Sequence, residues 1–340
     1  MKNRVFISGA QGFVGRYLVA HWLKAAPETE ILGVGRSAFM PEAFTHTVHR
    51  GDCEVRAPLP QNLRTGNGDR YHYLSLDIRR KADIRRVLNE FRPDVVVHLA
   101  SFLRGGSIEQ YLQTNVEGIV AVVEAIVESS VEVKKLLIAS TGGVYGAPAD
   151  ADLPLKETTA CTPVDLYAVS KLAAEHVSRI LVKQHQIPTV WARLFNLVGA
   201  GQQEIHVCGR LATQISAIIS GTSPPLVRVG SLEATRDFVD IRDVAAGLEL
   251  LTREGSSGET YNLGSGQETS IGAVLETFFS VAGLSRVRIE RVEEQHPTIP
   301  RHFAAIDRLR ALGFEGKYDL KQSVGTLLNY YLQEVAQSAE

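Results

Sequence analysis

The chain reads as a doubly wound α/β protein built on a parallel sheet, and two patterns carry that reading. Short apolar runs at 5–8, 31–34, 73–76, 94–99, 136–139 and 189–194 are β-rich and unbroken rather than alternating. Strands buried on both faces read this way. Helical periods lie between them, the clearest over 116–129, where Val116, Ile119, Val120, Val123, Ile126 and Val127 form one apolar stripe. Strand and helix in alternation place the helices on both sides of one sheet.

After about residue 195 the rhythm breaks into loops rich in Gly, Ser and Pro at 199–203, 220–225 and 255–258. The expected division is a first unit over 1–195, joined again by about 237–264, and a smaller C-terminal lobe over 196–236 and 265–340. Tyr261, Asn262 and Leu263 form one of the returning segments.

Composition narrows the function classes. The 340 residues are 44% hydrophobic and 22% charged, enough for a large core. A formal net charge of -2, with no long run of Lys or Arg, gives no reason to expect nucleic acid or an anionic membrane as partner. The first apolar run is too short for a signal segment and no run of about 18 apolar residues occurs, so a cytoplasmic protein is expected. Cys53, Cys161 and Cys208 lack ligand spacing and read as thiols. The polar stretch from Ser37 to His72 holds His46, His49, Asp52, Cys53 and Glu54 in no metal-binding pattern. It reads as an extended surface excursion, and no metal is expected.

The first run passes directly into Gly9-Ala10-Gln11-Gly12-Phe13-Val14-Gly15 and then a helical pattern over 16–24. Glycines there let the chain turn tightly and let backbone N–H groups and a helix N-terminus approach a pyrophosphate. The spacing departs by one residue from the usual fingerprint, but strand, turn and helix follow in the required order. A Rossmann-type fold with a bound dinucleotide follows. The second strand ends Gly33-Val34-Gly35-Arg36-Ser37, without the carboxylate that normally reads the ribose of NAD. Arg36 at that tip can pair with a 2′-phosphate, which favours NADP(H), with NAD(H) the alternative.

Tyr167 and Lys171 stand four residues apart at the head of another helical pattern, on one face. A neighbouring ammonium favours the phenolate and lowers a pKa that otherwise lies near 10, so the pair is a usable proton donor or acceptor.

Further motifs accompany the glycine turn and this pair: Asp77-Ile78, His98-Leu99-Ala100-Ser101, Asn115, Ser140-Thr141-Gly142-Gly143-Val144-Tyr145-Gly146, Arg193-Leu194-Phe195-Asn196 and Arg236-Asp237-Phe238-Val239-Asp240. In these the chain resembles the extended short-chain dehydrogenase/reductases that modify nucleotide sugars, over nearly all its length outside the excursion. The resemblance implies catalysis by Thr141, Tyr167 and Lys171. It implies cofactor contacts from Gly9, Gln11, Gly12, Phe13, Val14, Gly15, Arg36, Asp77, Ile78, Leu99, Ala100, Ser101, Asn115, Ser140 and Leu194, as well as from Tyr167 and Lys171. For a nucleotide-diphosphate sugar it implies Thr141, Asn196 and Arg236.

Within the family, the run 229–238 is most similar to reductases of GDP-4-keto-6-deoxy-mannose, which make GDP-rhamnose, whereas the run 140–146 is more like some nucleotide-sugar 4-epimerases. Reduction of a C4 ketone is therefore expected, with 4-epimerisation on tightly held NAD as the alternative. Two departures bear on this. Gln295-His296-Pro297-Thr298-Ile299-Pro300-Arg301 stands where the family commonly has an Arg-Pro pair, so the diphosphate contact has moved to Arg301 or been lost. The related 4,6-dehydratases carry an Asp-Glu pair directly after the catalytic Thr, and here Gly142 and Gly143 stand there. Dehydration is not expected. His98, His206 and His296 read as packed or surface histidines. A homodimer is expected through the 116–127 stripe and the helix that starts near Tyr167, by likeness to similar proteins.

Overall fold

In the computed structural model, which describes residues 3–50, 53–66, 68–103, 105–292 and 299–336, seven strands form one parallel sheet. They are β1 (Arg4–Ser8), β2 (Glu30–Gly35), β3 (Tyr71–Ser75), β4 (Val95–His98), β5 (Lys135–Thr141), β6 (Thr189–Leu194) and β7 (Thr260–Leu263). Their spatial order is β3-β2-β1-β4-β5-β6-β7. The chain starts in the middle, winds out to β3, and returns beside β1 to wind the other way. The reversal leaves a crevice beyond the carboxyl ends of β1 and β4, where open parallel sheets bind ligands.

The longer helices are α1 (Phe13–Ala25), α2 (Lys81–Phe91), α3 (Gly118–Glu128), α4 (Leu166–Gln184), α5 (Val207–Ile219), α6 (Ile241–Glu254), α7 (Ile271–Ala282) and α8 (Leu320–Asn329). Successive strand residues point to opposite faces. Val5, Ile7, Val97, Leu137 and Val190 join α1 and α6 in one apolar cluster. Phe6, Val96, Leu136, Ile138 and Trp191 join α2, α3 and α4 in the other. Burial on both faces is the reason these strands read as unbroken apolar runs. The first cluster continues into α5, α7 and α8 through Leu211, Ile215, Val274, Phe278, Val324 and Leu327, so the C-terminal helices share a core with the sheet.

Most elements lie where the sequence places them, with small shifts. Strand β3 begins two residues earlier than the apolar run, and α1 begins at Phe13 because Gly12 already caps it. Before α3 the helix opens into a wider turn over Leu112–Glu117.

The stretch after Ser37 is a correction. It is not an extended surface excursion: Ala43–Arg50 and Cys53–Pro58 pair as an antiparallel hairpin. Phe44, Val48, Ala57 and Leu59 are fully buried in the main core. Phe44 lies 6.1 Å from the ring of Phe13, and Tyr330 donates to the Pro58 carbonyl at 3.0 Å. The apolar residues are too few and too spread to announce a strand, and only the surfaces of α1 and the C-terminal segment give them something to pack against. Asp52 lies outside the described residues.

Among the described residues no helix is long and apolar enough to cross a membrane, and no group of His, Cys, Asp and Glu is placed to hold a metal ion.

Candidate active site

The crevice is lined first by the glycine turn. Gly9 has φ +76, open to glycine, and its N–H donates to the Val34 carbonyl at 2.8 Å. A Cβ there would lie 2.8 Å from the Ala100 nitrogen, and one on Gly15 would lie 2.3 Å from the Gly9 carbonyl oxygen. Strand, turn, helix and the segment after β4 are thus in contact because side chains are absent. Gly12 caps α1 without a side-chain partner. The amides of Phe13, Val14 and Gly15 have no carbonyl within the helix to bond, since the first four N–H groups of any helix lack one. Those donors and the helix dipole make an anion site, and the cradle fits a dinucleotide pyrophosphate.

The Gln11 side chain is committed elsewhere. Its Nε2 donates to Ser37 Oγ at 3.0 Å and to the Ala38 carbonyl at 2.8 Å, while Oε1 accepts from Met40 N and Arg16. It ties the turn to the loop after β2 and leaves only its backbone for a ligand. Arg36 follows β2 and walls a cleft of about 440 Å³ with Leu74 to Asp77, Arg80, Asp83 and Arg86. Asp77 is paired with Arg79 at 2.6 Å, and this bond draws its pKa down. Ile78 is buried beside it. The amides of Leu99 and Ala100 bond to Ser8. His98 is buried on Ser8 Oγ at 2.9 Å, with its pKa pushed down to about 3 by burial and by Lys171. It is a packed, neutral histidine. His206 is half-buried, and His296 lies outside the described residues.

Helix α4 begins behind Asp165, whose carboxylate accepts from Ala168 N at 2.8 Å. This cap places Tyr167 in the first turn and Lys171 one turn further on the same face. Tyr167 is half-buried and Lys171 is buried. Burial lowers the Lys171 pKa to about 8, opposed by the Glu175 carboxylate another turn along.

Asn115 sits in the wide turn before α3, a distortion frequent at functional sites. Its Oδ1 accepts from Ser101 Oγ and Phe102 N, and its Nδ2 donates to the Phe102 carbonyl and to Ser170 Oγ. Ser170 Oγ in turn bonds the Tyr167 carbonyl at 2.7 Å. Asn115 therefore fixes the head of α4 against the segment after β4. Thr141 ends β5 and its Oγ1 accepts from Gly143 N at 3.1 Å.

Beneath these groups runs a buried polar chain that sequence reasoning missed. Glu175 pairs with Arg193 through bonds of 2.8 and 3.1 Å and accepts from Ser140 Oγ. Arg193 reaches Tyr145 Oη at 3.0 Å, and Tyr145 donates to Asn262 Oδ1 at 2.7 Å. Burial works against the Arg193 charge, but the Glu175 bond overrides it and raises the pKa. One signal was available: Glu175 lies four residues after Lys171, on the same helical face.

On the far side, Asn196 Nδ2 donates to the Asp237 carbonyl at 3.1 Å. Arg236 reaches the carbonyls of Thr235 and Ile299. Arg193 is turned into the core rather than toward a diphosphate. Arg301 is clamped by Glu268 at 2.6 and 2.8 Å and by Asp150 at 3.1 Å, so any phosphate contact would have to displace carboxylates. Leu194, partly buried, ends β6. A Cβ on Gly142 would stand 3.1 Å from the ring of Phe195, so that ring fills the space a side chain at 142 would need. Sequence reasoning also missed His302, which lies 5.4 Å from Phe195 and whose Nε2 is buried without a partner among the described residues.

A Rossmann sheet with a glycine cradle and a Tyr-Lys pair beside it defines an extended short-chain dehydrogenase/reductase. Residues 5–264 match the NAD dependent epimerase/dehydratase family, and the chain belongs to that family. It is 31% identical to the GDP-6-deoxy-D-mannose reductase of Pseudomonas aeruginosa over 86% of this chain and 84% of that protein. It is 30% identical to UDP-glucose 4-epimerase 4 of Oryza sativa subsp. japonica, over 82% and 76%. The solved structure of RMD from Pseudomonas aeruginosa complexed with NADPH superposes with a TM-score of 0.77 at 26% identity, covering 97% of this chain and 99% of that one.

Proposed function

We propose that the protein reduces the C4 ketone of a nucleotide-diphosphate 4-keto-6-deoxyhexose, with NADPH as reductant. One observation carries the reading: Thr141, Tyr167 and Lys171 are all present, while Gly142, under the Phe195 ring, and Gly143 stand where a dehydratase needs its acid pair. The relative named GDP-6-deoxy-D-mannose reductase supports a guanine nucleotide. In this reading residues 1–195 with about 237–264 hold the cofactor, and 196–236 with 265–340 hold the sugar nucleotide.

The nicotinamide, when bound, supplies the hydride. Thr141 donates a hydrogen bond to the carbonyl oxygen, and the Tyr167 phenol gives that oxygen its proton as the hydride reaches C4. Lys171 holds the nicotinamide ribose and keeps the phenol acidic. The amides of Gly12 to Gly15 take the pyrophosphate, Asp77 and Ile78 border the adenine, and Arg36 takes the 2′-phosphate. Leu99, Ala100, Ser101, Ser140 and Leu194 line the rest of the cofactor's path, with Asn115 fixing its wall. Asn196 and Arg236 anchor the remote diphosphate, and binding energy there positions the sugar for transfer. Arg301 joins them if it leaves Glu268.

A second reading, 4-epimerisation, is favoured by the run 140–146 and by the UDP-glucose 4-epimerase relative. The purified protein distinguishes the two. An empty protein that consumes NADPH with GDP-4-keto-6-deoxy-mannose supports the reductase. Retained NAD with interconversion of UDP-glucose and UDP-galactose overturns it. Release of a 4-keto-6-deoxy product from GDP-mannose at a catalytic rate overturns both.

For the homodimer, Ile119, Val123 and Ile126 of the 116–127 stripe are buried in the core, while Val127, Leu112 and, on α4, Leu166, Val169 and Ile180 are exposed and are the apolar surface a second copy would cover. A monomeric mass by light scattering at micromolar concentration would dispose of it.

A further inference from the structure

The protein carries a net charge of -2, yet its cleft at the tips of β2 and β3 is locally basic. Arg36 stands on one wall and Arg80 and Arg86 on the other, and Arg79 lies beside them on Asp77. Against these four guanidinium groups stand two carboxylates, Asp77 and Asp83. Both are occupied: Asp77 by Arg79 at 2.6 Å, and Asp83 by Arg80 at 2.8 Å. Arg36 and Arg86 are left over and Glu90 takes Arg86, so Arg36 alone faces a phosphate monoester, which carries close to two negative charges at neutral pH.

Arg80 is the weakly held member of this set. Its side chain is 73% exposed, and among the described residues its ion pair is with Asp83, three residues along in the first turn of α2. An exposed pair of this kind contributes little, so exchanging the carboxylate for a phosphate costs little. Arg86 is drawn away by Glu90 at 3.2 Å. The backbone on the opposite wall is fixed, because Ser75 Oγ donates to the Arg36 carbonyl at 3.1 Å.

We infer that Arg80 is a second recognition residue for the cofactor's 2′-phosphate, closing on it from α2 opposite Arg36, and that Asp83 competes with the phosphate for this guanidinium. Asp83 is then a brake on affinity. The inference rests on the NADPH reading above and deepens it, since it assigns the discrimination to two walls of the cleft rather than to the β2 tip alone.

The test is titration of the purified protein with NADPH and with NADH, followed by nucleotide fluorescence or calorimetry, for wild type and for Arg36→Ala, Arg80→Ala and Asp83→Asn. Arg80→Ala should weaken NADPH by about three- to ten-fold and leave NADH within two-fold, as expected for a charge-assisted bond at an exposed site. Asp83→Asn should tighten NADPH by a few-fold without touching NADH. A merely structural role for the Arg80–Asp83 pair predicts that both variants weaken both cofactors alike, and that result would overturn the inference. If Arg36→Ala changes the NADPH-to-NADH ratio and Arg80→Ala does not, Arg80 is excluded while the 2′-phosphate reading stands. If none of the three changes the ratio, the reading and the inference fall together.

Discussion

The two ends of the crevice are built by opposite means. At the glycine turn the work is done by backbone, and by the absence of Cβ atoms at Gly9 and Gly15 that would collide with Ala100 and Gly9. Beneath Tyr167 and Lys171 it is done by side chains, through a buried chain from Ser140 and Glu175 to Arg193, Tyr145 and Asn262. The first construction tolerates no added atom. The second tolerates no lost one, because removing a member strands a buried charge or dipole.

The largest effect should come where the side-chain end meets the substrate. Tyr167→Phe should keep the fold and the cofactor affinity and lose about 100- to 10,000-fold in turnover, measured as NADPH consumption. Wild-type turnover would sink the assignment. The same end should be sensitive to pH. Burial has lowered the Lys171 pKa, so its charge is lost on raising the pH through about 8 rather than near the ordinary lysine value. Activity should fall along that limb, and Lys171→Arg, which stays charged, should move the fall upward if it remains active.

Next comes the buried pair. Glu175→Ala leaves Arg193 uncompensated at 7% side-chain exposure and should cost about 3–5 kcal/mol in urea unfolding. Arg86→Ala, which breaks an exposed pair with Glu90, should cost less than about 1 kcal/mol. Equal costs would mean that burial does not separate the two. At the backbone end, Gly15→Ala should destabilise by about 1–3 kcal/mol through overpacking, with weaker binding of both NADPH and NADH. Unchanged affinity for both would show that the turn does not hold the pyrophosphate. The most selective effect is Arg36→Ala, expected to weaken NADPH by roughly ten-fold and to spare NADH. Equal weakening of both cofactors would mean that Arg36 does not read the 2′-phosphate.

Much of this was legible before any coordinates. The unbroken apolar runs, the glycine turn and the Tyr-Lys spacing are local patterns, each complete within a few residues, and each is physically tied to what it predicts. Strands buried on two faces leave no polar residue to interrupt them. A cap and a four-residue spacing fix which side chains share a helical face.

What the sequence by itself determined, then, is the doubly wound sheet, the cradle at its switch point and the pair at the head of α4. Tertiary structure alone decided the rest. It buried Phe44, Val48 and Leu59 of a stretch that reads as polar surface, because the packing partners come from α1 and from residues near 330. It committed Gln11 to the loop after β2 and turned Arg193 inward onto Glu175. It clamped Arg301 onto Glu268 and onto Asp150, 151 residues away in the chain. The physical reason is common to all four: a polar side chain takes the partner that the fold brings within about 3 Å and an apolar one the surface brought against it, and no periodicity in the sequence encodes a meeting between residues so far apart.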